Sequence, residues 1–94
     1  MVALSKGSQL TIVSNTITPT HDVHHVTGDY GDHISTINVP SPDFCGFLVL
    51  IGDDNGNVLW GDGNINISGS VSLGHHATVL VYDPDTDKWY APID

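Results

Sequence analysis

The chain has 94 residues and a formal net charge of −9; its eleven acidic residues are all Asp, and its two basic residues are Lys6 and Lys88. This length allows one domain with a modest core. The charge argues against nucleic acid and anionic membranes as partners, because both are bound through Lys and Arg. Glu is absent while Asp, Asn, Gly, Ser and Thr are common, which favours turns and strands over helices. With Cys45 as the only cysteine, no internal disulfide forms.

Residues 1–20 are predicted to form an extended N-terminal arm, and residues 21–94 a β-domain. The arm contains a short strand-like patch and then a Thr- and Pro-rich stretch with weak patterning. Terminal segments of this kind are often unpacked unless a neighbour holds them. We therefore expect the arm to contact a partner protein or neighbouring subunits through its apolar side chains. These candidate contact residues are Leu10, Ile12, Val13, Ile17 and Pro19.

From residue 23 onward, short apolar stretches alternate with strong turn signals, and no segment has a helical period over ten residues. The predicted strands cover 23–27, 33–39, 46–51, 58–60, 65–67, 71–73, 78–82 and 88–90. Asn55-Gly56 predicts a tight hairpin, because this pair tolerates positive φ angles, and residues 83–87 predict a closing hairpin. The sequence therefore predicts an all-β fold, a small antiparallel β-sandwich or barrel.

The expected core consists of apolar residues at alternate positions of these strands, with two tryptophans as anchors. Its predicted members are Val26, Ile34, Ile37, Phe47, Val49, Ile51, Trp60, Ile65, Ile67, Val71, Leu73, Val79, Val81 and Trp89. The longest apolar run, residues 47–51, is far shorter than the roughly 20 residues that cross a bilayer. We expect no signal peptide and no membrane span, and assembly in a cytoplasm.

Six histidines raise the question of a metal site. Four of them, His21, His24, His25 and His33, lie close together in sequence, and His75-His76 forms a second pair. Adjacent residues point to opposite faces of a strand, so neither adjacent pair can serve one site from regular β structure. We interpret these histidines as structural and expect no metal. A metal held between subunits on a symmetry axis is the alternative.

The triplet Asp83-x-Asp85-x-Asp87 is similar to the start of a calcium-binding loop, whose ligands are hard oxygens. The later glycine and bidentate Glu of such a loop are missing, so we interpret the triplet as a turn. Catalysis has little support: Cys45 has no Arg or helix start beside it to lower its pKa, and no Gly-x-Ser-x-Gly motif is present. We expect neither a cofactor nor an enzymatic activity.

The order of short motifs along the chain resembles a small β-domain that recurs in tailed-phage virion proteins, among them capsid decoration proteins and fibre or spike modules. The resemblance covers roughly residues 21–92, and no catalytic or ligand residue carries over from it. The motifs are His25-Val26-x-Gly28, Ile34-x-x-Ile37-x-x-Pro40, Gly46 before an apolar strand, Gly63-Asn64-Ile65, and Tyr82-Asp83 with Trp89-Tyr90.

This resemblance implies a phage capsid decoration (cement) protein that binds the major capsid protein on the outside of the head. Such proteins often form homotrimers that clamp neighbouring capsomers. A chain taken as complete from Met1 suits this role better than a long fibre, and packaged DNA would repel a charge of −9. The alternative is a tail-fibre, head-fibre or spike module, in which exposed Tyr30, Trp60 or Tyr90 stacks on host-surface sugars.

Overall fold

The computed structural model describes residues 5–39, 46–53 and 56–91. These residues form ten short strands and no helix, so the all-β prediction is confirmed. None of the described segments is a helix long and apolar enough to cross a membrane. The strands are β1 (Leu10–Thr11), β2 (Thr16–Ile17), β3 (Val23–Thr27), β4 (His33–Ile34), β5 (Thr36–Ile37), β6 (Gly46–Gly52), β7 (Val58–Trp60), β8 (Ser70–Ser72), β9 (Ala77–Asp83) and β10 (Lys88–Tyr90).

Three sheets surround one core. The largest has five strands in the order β1-β3-β6-β9-β10, a second pairs β2 with β5, and a third has the order β4-β7-β8. The sheets curl into a half-barrel. The predicted strand over 33–39 is broken at Ser35 into β4 and β5, which belong to different sheets. The chain therefore changes sheet within a few residues.

Strand pairing in the first part of the fold is parallel. Leu10 lies opposite Val26 in the β1–β3 pair, and Val23 lies opposite Val49 in the β3–β6 pair. The β2–β5 and β4–β7 pairs are parallel as well. Parallel neighbours need connections of a dozen residues or so, and the chain supplies them by passing through the smaller sheets. The strands of the first part of the chain therefore pair in parallel, whereas the sequence predicted antiparallel pairing.

The last part of the fold is antiparallel. Strand β8 returns beside β7, β9 beside β6, and β10 beside β9. The closing hairpin predicted at 83–87 is confirmed, with Asp83 opposite Lys88. Asn55 of the other predicted hairpin lies outside the described residues; Gly56 has the positive φ, 72°, that such a turn requires. A further tight turn, at Ser14 and Asn15, joins Val13 to Thr16.

The core lies between the inner faces of the sheets, and Trp89 is fully buried in it. Its indole Nε1–H donates to the carbonyl of Ile37, 3.1 Å away, which links the five-stranded sheet to β5. Asn64 reinforces this link, because its side-chain amide both accepts from and donates to the Ile37 backbone. The core residues are Ile12, Ile17, Val26, Ile34, Ile37, Leu48, Leu50, Leu59, Ile65, Ile67, Leu73, Leu80, Tyr82 and Trp89.

Several residues assigned to the core by sequence lie on the outside. In β6 the buried residues are Leu48 and Leu50, and in β9 Leu80 and Tyr82, so the alternation has the opposite phase to the one expected. Trp60 is also exposed, while its neighbour Leu59 is buried. The misassigned residues on these strands are Phe47, Val49, Ile51, Trp60, Val79 and Val81. The error arises because β6 is apolar at every position, so its period of two defines two faces without saying which is inner.

The expectation of an extended arm over residues 1–20 is not confirmed for the part that the structure describes. Strand β1 pairs with β3, and β2 pairs with β5. Ile12 and Ile17 are buried in the core, at 6 % and 1 % exposure. Burial of these two side chains in the core of their own chain lowers the free energy, because removing apolar surface from water is favourable.

Candidate functional site

The outer face of the five-stranded sheet is apolar across its two longest strands. In the β6–β9 pair, Phe47 lies opposite Val81 and Val49 opposite Val79. Phe47, Val79 and Val81 are 38 %, 43 % and 50 % exposed. We call the surface formed by Phe47, Val49, Ile51, Val79 and Val81 the apolar face. Monomeric proteins rarely leave large contiguous apolar patches uncovered, and such patches mark interaction sites.

Acidic residues border the apolar face at both ends. Asp53 follows β6, and β9 ends at Asp83, which begins the hairpin containing Asp85 and Asp87. Between these ends, the described residues of β6 and β9 include no charged side chain. The surface therefore has an uncharged centre and ends at which Asp outnumbers Lys, since Lys88 alone lies opposite Asp83; this favours a partner with an apolar centre and basic residues around it.

The outer face of the three-stranded sheet has a different chemistry. Trp60 lies opposite Ser70, and Val58 lies opposite Ser72, while His33 lies opposite Val58 on the other side. The His33 and Trp60 rings stack with centroids 3.6 Å apart and planes 12° apart. We call His33, Val58, Trp60, Ser70 and Ser72 the tryptophan face. It combines one exposed indole with hydroxyl groups.

His24 is a structural residue. It is fully buried on β3, and its Nε2 accepts the backbone N–H groups of Thr20 and His21, both at 3.0 Å. Its Nδ1 therefore carries the ring proton and donates to the carbonyl of Ser8 at 2.7 Å. A methyl group at Gly7 would overlap the ring, so this glycine is needed where the chain passes the imidazole.

The structure gathers no cluster of three metal-ligating side chains within the described residues. His24 and His25 lie on opposite faces of β3, one buried and one exposed, as the alternation predicts. The triplet Asp83, Asp85 and Asp87 is the closing turn: the Asp85 N–H donates to the Asp83 carboxylate, and the Tyr82 hydroxyl donates to Asp87.

Two tyrosines near this hairpin have shifted pKa values. The pKa of Tyr82 rises from 10.0 to about 12, first because its hydroxyl donates to the Asp87 carboxylate, and then because of burial and the negative charges of Asp87 and Asp83. The pKa of Tyr90 is lowered, mainly by its hydrogen bond with Thr86 and next by one with Asn66. The Tyr82–Asp87 and Tyr90–Thr86 hydrogen bonds help to fix the geometry of the hairpin.

A small cleft lies where the N-terminal segment meets the sheets. Its volume is about 120 Å³, below the roughly 300–1,000 Å³ of most ligand sites. Within it the Ser5 hydroxyl donates to the Asp22 carboxylate at 3.2 Å, while the Thr20 hydroxyl pairs with His21 Nδ1 at 2.9 Å. These are two separate pairs and do not form a relay from a base to a nucleophile. Cys45, considered above as a nucleophile, lies outside the described residues.

The residues predicted to contact other subunits are divided by the structure. Ile12, Ile17 and Pro19 are buried within this chain, so their side chains are not available to a partner. Leu10 is half-buried against the core, and Val13, at the tip of a turn, is 65 % exposed. Val13 is thus the most exposed of the five residues, and the contact itself stays a prediction.

The apolar face was missed because its members were assigned to the core. One signal in the sequence does point to it: residues 46–52 contain no polar side chain on either alternation. A strand that is apolar on both sides is expected to be packed against other residues on both sides, but a domain of this size has enough chain to cover only one of them.

No family model matches the chain, and no similar protein was found among curated proteins or solved structures.

Proposed function

We propose that this chain is a docking domain that binds another protein through its apolar face and performs no bond-making step. The observation that carries the proposal is the row of half-exposed aliphatic and aromatic side chains on β6 and β9 in a chain of charge −9. Exposed apolar side chains are unfavourable in water, so we expect Phe47, Val79 and Val81 to be covered by a partner when the protein acts.

The energetics favour several copies acting together. An apolar patch of this kind covers on the order of 300 Å², and burying it is worth roughly 7.5 kcal/mol at about 25 cal/mol per Å². Association costs about 4–15 kcal/mol in lost freedom, so a single copy holds its partner weakly. Linked copies overcome this limit, because each further contact becomes intramolecular. A homotrimer on a repetitive surface meets this requirement.

The partner that we propose is the major capsid protein of a tailed phage, with the chain acting as a decoration protein on the outside of the head. The order of motifs that resembles small virion β-domains supports this assignment. The charge of −9 supports an exterior position, because packaged DNA would repel it. The acidic ends of the apolar face favour a capsid surface with basic residues over a second copy of the same face. Binding that is selective for the assembled shell would stabilise it by mass action.

The test is co-sedimentation of the purified chain with phage heads assembled without it. Val79→Asp with Val81→Asp places two charges on the apolar face; Ser70→Asp with Ser72→Asp adds the same charge on the tryptophan face. We expect the first variant to lose head binding and the second to keep it. Equal binding by both variants would overturn the role of the apolar face, and no binding by the unmodified chain would overturn the partner.

Light scattering of the free chain tests the oligomer. We expect a mass of three chains at the concentrations used for sedimentation. A strict monomer that still saturates the heads would overturn the trimer while leaving docking intact. Circular dichroism of each variant confirms that the exposed substitutions leave the strand content unchanged.

A further inference from the structure

Trp60 is a large aromatic side chain that the fold holds in solvent. It lies at the end of β7 with 44 % of its surface exposed, although Leu59 beside it is fully buried. The indole Nε1–H donates to no acceptor within the described part of the chain. An exposed tryptophan of this kind offers both an apolar ring face and a free hydrogen-bond donor.

His33 fixes the orientation of this ring. The two rings are 12° from parallel at a centroid distance of 3.6 Å, so the imidazole covers one side of the indole, while 44 % of the residue stays exposed. Both residues are carried by paired strands, with His33 opposite Val58, two residues before Trp60. The platform is therefore ordered before any ligand arrives, which reduces the entropy lost on binding.

Hydroxyl groups stand beside the platform. Ser70 lies directly opposite Trp60, and Ser72 is two residues further along β8 on the same face. Both serines are exposed, and their hydroxyls make no hydrogen bond to other described residues. Each hydroxyl can donate one hydrogen bond and accept two. A ligand resting on the indole would thus meet hydrogen-bonding groups at its edge.

Charge decides which ligand suits this surface. Strands β4, β7 and β8 carry no Asp and no Lys, and Asp62 follows Trp60 by two residues. With a net charge of −9 on the chain, anionic ligands such as nucleotides or acidic sugars are repelled. A pyranose ring has one face of C–H groups for the negative face of the indole and hydroxyls for the serines. We infer that the tryptophan face binds neutral saccharides.

This inference goes beyond the docking function and does not depend on it. The apolar face and the tryptophan face belong to different sheets whose inner sides share one core, so one face can rest on a partner while the other meets a glycan. A single sugar on an open platform binds weakly. Several copies on one particle would raise the overall affinity without new contacts.

The experiment is saturation-transfer NMR of the purified chain with a panel of neutral oligosaccharides of glucose, galactose, mannose and N-acetylglucosamine. We expect transfer to the C–H protons of one ring face for at least one member. Trp60→Leu should reduce the transfer at least tenfold, and Ser70→Ala with Ser72→Ala should weaken binding several-fold. Tyr30→Leu is the matched control, since Tyr30 is an exposed aromatic, 87 % accessible, outside the tryptophan face.

Two results would overturn the inference. The first is the absence of transfer to every neutral sugar in the panel. The second is transfer that Trp60→Leu and Tyr30→Leu reduce equally, because this would reflect general stickiness of exposed rings. Binding of sialylated or glucuronate-containing glycans as strong as that of neutral ones would contradict the charge argument. The variant Val79→Asp with Val81→Asp should retain sugar binding, so failure of docking and failure of this site are distinguishable.

Discussion

The outer faces of the five-stranded and three-stranded sheets share one core but differ in what they present to solvent. The first exposes Phe47, Val79 and Val81, whereas the second exposes Trp60 among serines. Both inner faces supply aliphatic side chains to the one core, to which the five-stranded sheet adds Tyr82 and Trp89, so shared packing does not explain the difference between the outer faces. The inner residues therefore stabilise the fold, whereas the difference between the two outer faces indicates what each sheet binds.

The largest effect should separate the two sides of β9. Leu80 is fully buried and Val79 is 43 % exposed, although they are neighbours in sequence. Leu80→Ala removes packed methyl groups and leaves a cavity, so we expect the free energy of unfolding to fall by about 2–5 kcal/mol. Val79→Ala should change it by about 0.5 kcal/mol or less. Urea unfolding measures both; similar losses would mean that the assigned phase of β9 is wrong.

The next largest effect concerns the neighbouring histidines of β3. His24→Leu removes the acceptor of two backbone N–H groups and the donor to Ser8. Leaving buried polar groups unpaired costs about 1–3 kcal/mol, and we expect a loss of that size. His25→Leu, on the exposed side, should have little effect. A thermal-unfolding comparison of the two variants would contradict this assignment if their midpoints moved together.

The third prediction concerns pH and the last inner residue of β9. The pKa of Tyr82 is raised to about 12, so between pH 10 and pH 12 the native chain keeps a proton that the unfolded chain loses. The free energy of unfolding should therefore fall across this window. Asp87→Asn removes the charge and tolerates the positive φ of 58° at this position. In this variant we expect the absorbance titration of Tyr82 to shift to lower pH and the stability loss to become smaller.

The smallest effect on stability is expected for two substitutions that compare the outer faces directly. Val81→Lys and Ser72→Lys place the same charge on the apolar face and the tryptophan face, both at exposed positions. We expect each to change stability by about 0.5 kcal/mol or less. Fluorescence of a dye that binds exposed apolar surface should drop for Val81→Lys and stay constant for Ser72→Lys. Equal drops would show that the apolar face is not the main exposed patch.

The sequence predicted the strands better than their partners. Turn residues and alternation located β3, β6, β7, β9 and β10 within a residue or two, because these signals are local. The direction of pairing is set by contacts between distant segments, such as Val23 with Val49, and nothing in a strand's own pattern encodes it. The parallel pairing of the first half therefore became apparent only in the fold.

Predictability of the candidate faces was also uneven. Trp60 was named as an exposed aromatic in one hypothesis and as a core anchor in another, and only the packing of Leu59 decided between them. The stack with His33 joins residues on two strands and leaves no signature in spacing. By contrast, the uninterrupted apolar run of β6 was visible from the start. What the sequence did not reveal is that the fold covers only one side of this strand.

Strand β6 sits between a parallel neighbour made before it and an antiparallel neighbour made after it. During synthesis β1, β3 and β6 emerge in the order in which they stack, so the first three places in the large sheet can fill as the chain leaves the ribosome. The far edge of β6 must then wait for residues 77–83, with its backbone N–H and C=O groups unpaired. In that interval the nascent sheet is open to wrong partners, and the speed with which β9 arrives should govern the yield of folded chain.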